Sequence, residues 1–442
     1  MAAVPVFSRD AGRPQLEAGR IYDLAALVDL GLRQNPVTRS VWEEARSAAA
    51  GLGIAEAAWL PVIAVGGHAG YYRYPFSEQT GAFSLGGTAV DPVVGLSWIL
   101  FDRARPASID RAGQQLLAAG FAMNRTHQQV IFDIQRSFYA LLAARARVQA
   151  AEKNLEQSSS NVASIQAQLG RGLATRPEVL LAVQDQAHAG YELQSARGQV
   201  MTFQADLAES LGMTPDVKIQ TVAMSDLTLP KELESEADAV IDQALQQRPD
   251  LAEKLAKLRA QEADIRRQEA TWWPVISLTA KQGWKQWNYR DLSTPNSPDV
   301  SIGSPVADAF LTMDWNIFEG FAGVNRIDQA RARKNAAQAD LETLQLKIIR
   351  DVWRAYADIK TSARKVEFAI AMLSAAEQSW EAARATYAQG LCTVVELLTA
   401  ERNLAQARAT DIDSRAGLLK AAAELVYAAG SQDGSDRSRD SR

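Results

Sequence analysis

The side chains that could do chemistry are few and scattered. The histidines His68, His127 and His188 lie about 60 residues apart, without the close pairing that puts two imidazoles on one metal. A single cysteine, Cys392, excludes an intramolecular disulfide framework and any multi-cysteine metal site. No glycine-rich loop is placed to cradle a phosphate and no nucleophile elbow occurs. Gly66-Gly67 falls in a strand-like stretch, where glycine serves close packing. One acid draws notice by position: Glu396, just after the turn Gly390-Leu391-Cys392-Thr393. It reads as a solvated carboxylate favoured by a helix start, or, repeated around a narrow opening, as a charge that repels its copies and attracts cations. Neither reading is catalytic, so an enzyme is not expected.

Composition permits a large core: 442 residues, 47% apolar, 22% charged, net charge −5. Without a basic stripe, nucleic acid is not expected as a partner. No run of 18 uncharged apolar residues exists, so no transmembrane helix is expected. The start, Met1 to Phe7, lacks the basic region and apolar core of a signal peptide. Taken alone this suggests a soluble protein, but β-barrels escape hydropathy scans, and the compartment stays open at this point.

The elements behind these residues are duplicated. Asn35-Pro36 matches Arg248-Pro249, and Trp59-Leu60-Pro61 matches Trp272-Trp273-Pro274, both at an offset of 213. Trp98-Ile99-Leu100-Phe101 matches Trp315-Asn316-Ile317-Phe318 at 217, and Gly172-Leu173-Ala174-Thr175 matches Gly390-Leu391-Cys392-Thr393 at 218. Gly212 matches Gly430 at the same spacing. Each half reads helix, two strands, a very long helix, a tight turn and a shorter helix. Ile134, Leu141, Val148, Leu155, Val162 and Leu169 recur every seven residues, as do Val352, Ile359, Val366, Leu373, Trp380 and Tyr387. A sustained seven-residue period means coiled-coil packing. A helix of roughly 65 residues is about 100 Å long, which suits a rod or tube. The expected division is a flexible segment 1–20, a first repeat 21–212, a linker 213–234, a second repeat 235–430 and a disordered tail 431–442.

Before each long helix the period changes to two. Ile276, Leu278, Ala280 and Trp284 alternate with Ser277, Thr279, Lys281 and Lys285. Returning, Ala309, Leu311, Met313, Trp315 and Ile317 alternate with Asp308, Thr312, Asp314 and Asn316. Strands are expected over about 62–76, 90–101, 275–289 and 306–318, with exposed loops from Phe76 to Ala89 and Arg290 to Pro305. Trp272, Trp273, Trp284, Trp287, Trp315 and Phe318 fall where the interfacial girdles of a membrane sheet belong. Four strands cannot close a barrel and lipid tolerates no open edge, so membrane insertion forces oligomerisation. The rival is a soluble coiled-coil scaffold, which explains the heptads but not the alternating strands.

These residues resemble the TolC family of outer-membrane channel proteins, from roughly Ile21 to Gly430. The resemblance is carried by the Leu60-Pro61 and Trp273-Pro274 strand starts, and by Asp314-Trp315-Asn316-Ile317-Phe318-Glu319-Gly320 at a strand exit. The Gly-Leu-Ala-Thr and Gly-Leu-Cys-Thr turns lead into Glu178-Val179-Leu180 and Glu396-Leu397-Leu398. It implies a mostly α fold with a transmembrane portion: a homotrimer with a 12-stranded β-barrel in the outer membrane and a 12-helix coiled-coil α-barrel in the periplasm. The turns 172–175 and 390–393 would dock a membrane-fusion (adaptor) protein serving an inner-membrane transporter of ABC or RND type. Ser277, Thr279, Lys281, Lys285, Asp308, Thr312 and Asp314 would line the barrel. The family narrows its entrance with two acids; Glu396 matches the first, while the second falls on neutral Thr399. The lipid-bearing cysteine of many relatives is missing, so acylation is not expected. The function implied is a passive export duct for a tripartite efflux pump or type I protein secretion, with no cofactor.

Overall fold

A computed structural model describes residues 20–78, 81–230 and 236–431. The segment 1–19, most of the tail 431–442 and residues 231–235 of the linker region lie outside the described residues.

Each half opens with two helices where one was expected. These are α1 (Leu24–Gln34) and α2 (Pro36–Glu56) in the first, α5 (Ala237–Gln247) and α6 (Pro249–Glu269) in the second. Pro36 and Pro249 cause the break, because proline cannot continue a helix but suits its first position. A short parallel pair, β1 (Ile21–Tyr22) with β4 (Gln220–Thr221), was not foreseen from the sequence. The other strands are β2 (Val62–Glu78), β3 (Gly81–Phe101), β5 (Val275–Asp291) and β6 (Val300–Asp314). They form one antiparallel sheet in the order β2-β3-β5-β6. The long helices α3 (Ala104–Gly170) and α7 (Ala322–Ala388) return through tight turns into α4 (Arg176–Ser210) and α8 (Val394–Ala429).

The chain divides into two compact units. Among the described residues, one takes those up to Glu44, those within 120–252 and those from Glu342; the other takes those within 45–119 and Glu253–Leu341. In the first unit the two repeats build separate apolar clusters. Leu27, Ile134, Phe138, Leu141, Leu207 and Leu211 are buried together, as are Val240, Ile348, Val352, Ile359, Leu418 and Leu425. α1 lies so close to α3 that a Cβ at Gly31 would stand 2.4 Å from Ile134 Cδ1. Leu141 is fully buried while Leu169 is 38% exposed. The heptad line therefore thins toward the turn.

The expected loop from Phe76 to Ala89 is strand on both sides of residues 79–80. Its glycines mark close approach and not a loop: a Cβ at Gly87 would lie 2.0 Å from the Asn288 carbonyl oxygen. In the second half β6 is shifted toward the N-terminus, beginning at Val300 and ending at Asp314. Trp315 to Phe318 leave the sheet because β6 pairs only with β5, whose first residue Val275 already faces Asp314; the Trp315 indole donates to the Trp272 carbonyl (3.1 Å), and the chain then turns at Gly320 and Phe321, both at positive φ. Trp98 makes the equivalent bond to the Trp59 carbonyl (2.9 Å). In each repeat a tryptophan ties the strand exit to the strand start.

Candidate functional site

The two turns are built alike. In each, a glycine at positive φ (Gly172, +74°; Gly390, +75°) ends the long helix. The N–H of Leu173 donates to the Gln168 carbonyl (2.9 Å) and that of Leu391 to the Thr386 carbonyl (3.0 Å), the six-to-one bond of a Schellman cap. Both leucines are left 74% exposed. Val162, Ile165, Ala182, Val394 and Leu398 form one buried cluster, with Ala174 and Tyr387 packed on it. Tyr387 Oη–H donates to Gln168 Oε1 at 2.8 Å. The structure thus brings the two turns together. Cys392 Sγ lies 3.5 Å from the Ala383 carbonyl, half-buried and unpaired with any other thiol.

Glu396 is held by a capping box. Its carboxylate accepts from the Thr393 N–H (2.8 Å) and Thr393 Oγ1 (3.0 Å), while Thr393 Oγ1 accepts from the Glu396 N–H (3.3 Å). These bonds hold its carboxyl below the usual carboxylate range, so the charge persists in mild acid. Its repeat counterpart Glu178 is bound the same way to Thr175, with the same downward shift. Thr399 donates its hydroxyl proton to the Val395 carbonyl (2.6 Å), leaving its oxygen to act outward only as a neutral acceptor.

Sheet register sorts the strand residues. Lys281 faces Asp308 across β5 and β6, Ser277 faces Thr312, and Thr279 faces Phe310. Ser277, Thr279, Lys281, Lys285, Asp308, Thr312 and Asp314 consequently share one face, joined by Gly95 and Ser97 of β3. The opposite face carries Ile63, Val65, Leu96, Trp98, Ile276, Leu278, Ala280, Leu311 and Met313. Trp284 lies on this apolar face, but Trp287 lies on the polar one beside Lys285. There it packs with Tyr74 and Tyr289, so the aromatic set grouped from the sequence divides between faces. Trp272, Trp273, Trp315 and Phe318 stand off the strands at their helix-proximal ends, each about half exposed or more.

Sequence reasoning missed a polar cluster near the turns. Glu401 of α8 is 1% exposed and accepts a hydrogen bond from the Asn161 amide of α3, while its Oε1 has no partner. Arg402 Nε donates to Asp185 Oδ1 of α4 at 2.7 Å. Burial above all, with the Asp185 carboxylate adding to it, raises the Glu401 carboxyl to about 7, against the opposing pull of Asn161 and Arg402. The available signal was an acid on the stripe Leu397, Glu401, Leu404. Among the described residues no metal-ligating cluster converges, and no helix is apolar enough to cross a membrane.

Residues 27–213 and 240–431 match the outer membrane efflux protein family. Protein CyaE of Bordetella pertussis is 29% identical over 417 residues, 93% of this chain and 85% of its own length. Outer membrane protein OprJ of Pseudomonas aeruginosa is 26% identical, over 86% of this chain and 78% of its own. Among solved structures, the Campylobacter jejuni CmeC outer membrane channel superposes with a TM-score of 0.79 at 17% identity, covering 92% of this chain and 85% of that one. That likeness speaks for the fold.

Proposed function

The chain belongs to the outer membrane efflux protein family, and from that premise we propose that three copies form a passive duct through the outer membrane and across the periplasm. The family transports and does not catalyse. The observation that carries the reading is the four-stranded sheet, with a polar face, an apolar face and two edges, β2 and β6, that find no partner strand within the described chain. Open edges are not tolerated in lipid, so β6 of one copy pairs with β2 of the next. Three copies give twelve strands, with the Lys281–Asp308 face lining the lumen and the apolar face against lipid.

The paired turns dock the periplasmic adaptor of a tripartite system, offering Leu173 and Leu391 as exposed apolar contacts. An inner-membrane transporter, reached through that adaptor, supplies the energy and selects the cargo. The chain supports this passive role because its lumen face carries generic polar groups. Relatives are named for cation efflux and toluene efflux; a small toxic solute or a secreted polypeptide would use the same duct. At the entrance Glu396, ionised and immobilised by Thr393, contributes one negative charge per copy, while Thr399 contributes none. The mouth is narrow but conducting at rest, and docking widens it by untwisting the inner helix pairs.

Reconstitution tests this. Purified protein in planar bilayers should give discrete channels, cross-linking should stop at three copies, and Glu396→Gln should lower preference for cations. A chain that stays soluble without detergent and conducts nothing would return the protein to the scaffold reading. A trace unchanged by Glu396→Gln would leave that acid as a helix cap only.

A further inference from the structure

Where β3 gives way to α3, two arginines border a cavity of about 820 Å³ walled by Trp59, Phe101 and Trp273. Arg105 is only 3% exposed. Its Nη2 donates to the Ile99 carbonyl (2.5 Å) and its guanidinium lies 4.3 Å from the centre of the Trp59 ring, but its Nε has no partner. Arg103 is exposed, with its guanidinium 5.0 Å over the Trp273 ring. Neither is within ion-pair distance of a carboxylate among the described residues. The acids at the cavity are otherwise engaged: Asp110 with Arg266, Glu269 with Arg331 (3.7 Å), and Asp102 with the Ala104 N–H (2.8 Å).

A buried cation without a counter-charge is costly, and a ring face offsets only part of that cost. The missing partner is an anion. The wall narrows its nature, since Trp59 and Trp273 are about half exposed and Leu100 and Phe101 are 40% exposed. A free ion would leave that apolar surface bare; an anion bearing hydrocarbon would cover it. Among the described strands only β3 adjoins the cavity, and it is an inner strand of the sheet, while copies would join at β2 and β6. A carboxylate from a second copy is therefore the poorer fit. The second repeat has no such site, because Gly320 and Ala322 stand where the first has Arg103 and Arg105.

We propose that this cavity holds the phosphate of a phospholipid headgroup between Arg103 and Arg105, one lipid per chain, with the acyl chains against the tryptophan wall. The proposal rests on the reading that the sheet spans a membrane. Delipidated full-length protein in dodecyl maltoside would be titrated, by native mass spectrometry, with phosphatidylglycerol, with dioleoylglycerol and with inorganic phosphate. The expected result is one phosphatidylglycerol per chain, not displaced by millimolar phosphate, and no dioleoylglycerol. Affinity should fall about tenfold or more in Arg103→Gln and Arg105→Gln, the loss expected when a charge-assisted bond is removed. Arg103 touches only a ring face, so Arg103→Gln keeps the test decisive if Arg105→Gln fails to assemble. Equal lipid binding by wild type and Arg103→Gln would overturn the site, as would displacement by inorganic phosphate or equal uptake of dioleoylglycerol. Channel conductance measured on the same preparations separates the two readings. Conducting channels whose lipid binding ignores the arginines sink this proposal alone, whereas absence of conductance sinks the duct and the lipid site together.

Discussion

Glu401 is an acid on a stripe that is otherwise apolar, between Leu397 and Leu404 and 1% exposed. Its carboxyl is raised from 4.5 to about 7, so the folded chain binds its proton more tightly than the unfolded chain does. The stability linked to that proton is full below about pH 4.5 and is lost as pH rises toward 7 and beyond. Glu401→Gln keeps the shape and a hydrogen bond to Asn161 without the charge. It should raise folding stability at pH 8 by on the order of 1–3 kcal/mol while leaving pH 4 nearly unchanged; parallel melting curves at both pH values would refute this. Glu396 and the glycine turns were legible from the sequence because their signals are local, a turn followed by an acid near a helix start. Glu401, Asp185 and Asn161 were not, since they meet only when three helices pack.

At the scale of elements, the duplicated landmarks acquire physical meaning. Asn35 Nδ2 donates to the Ser210 carbonyl (2.9 Å) near the end of α4, and Arg248 Nη1 donates to the Ala428 carbonyl (3.2 Å) near the end of α8. The residue before each proline thus satisfies the end of the last helix of its own repeat, where carbonyls lack helical partners. The second repeat adds charge, with Arg248 bound through two nitrogens to Asp250. Helix type and length were readable from period and glycine; burial was not, because a seven-residue repeat says nothing about what lies opposite. Leu141 has no exposed surface, and Leu141→Ala should cost about 2–5 kcal/mol of stability in denaturant titration. A loss below about 1 kcal/mol would show that the cluster around it is not a core. The strand limits differ from the expectation at Gly86-Gly87 and at Trp315 for a related reason, as glycine close contact and the point where the neighbouring strand begins both depend on a distant partner.

At the scale of the whole molecule, the face assignment of the sheet was legible because alternation is a property of one strand, whereas edges concern what the chain lacks. The strands β2 and β6 lie at the edges of the sheet among the described residues, and in the proposed duct other copies complete it, so assembly and export would place separate demands on the sequence. A chain altered only at its tip keeps sound edges. Gly390→Val forces a branched residue into a positive-φ turn and should spoil docking without spoiling assembly. Such an allele ought to be dominant. Co-expressed with wild type in equal amounts, random assembly leaves about one eighth of three-chain ducts free of the altered copy, and about one quarter if only two chains assemble. Residual export in a merodiploid cell therefore counts subunits, and export near half of normal would mean that each copy works alone.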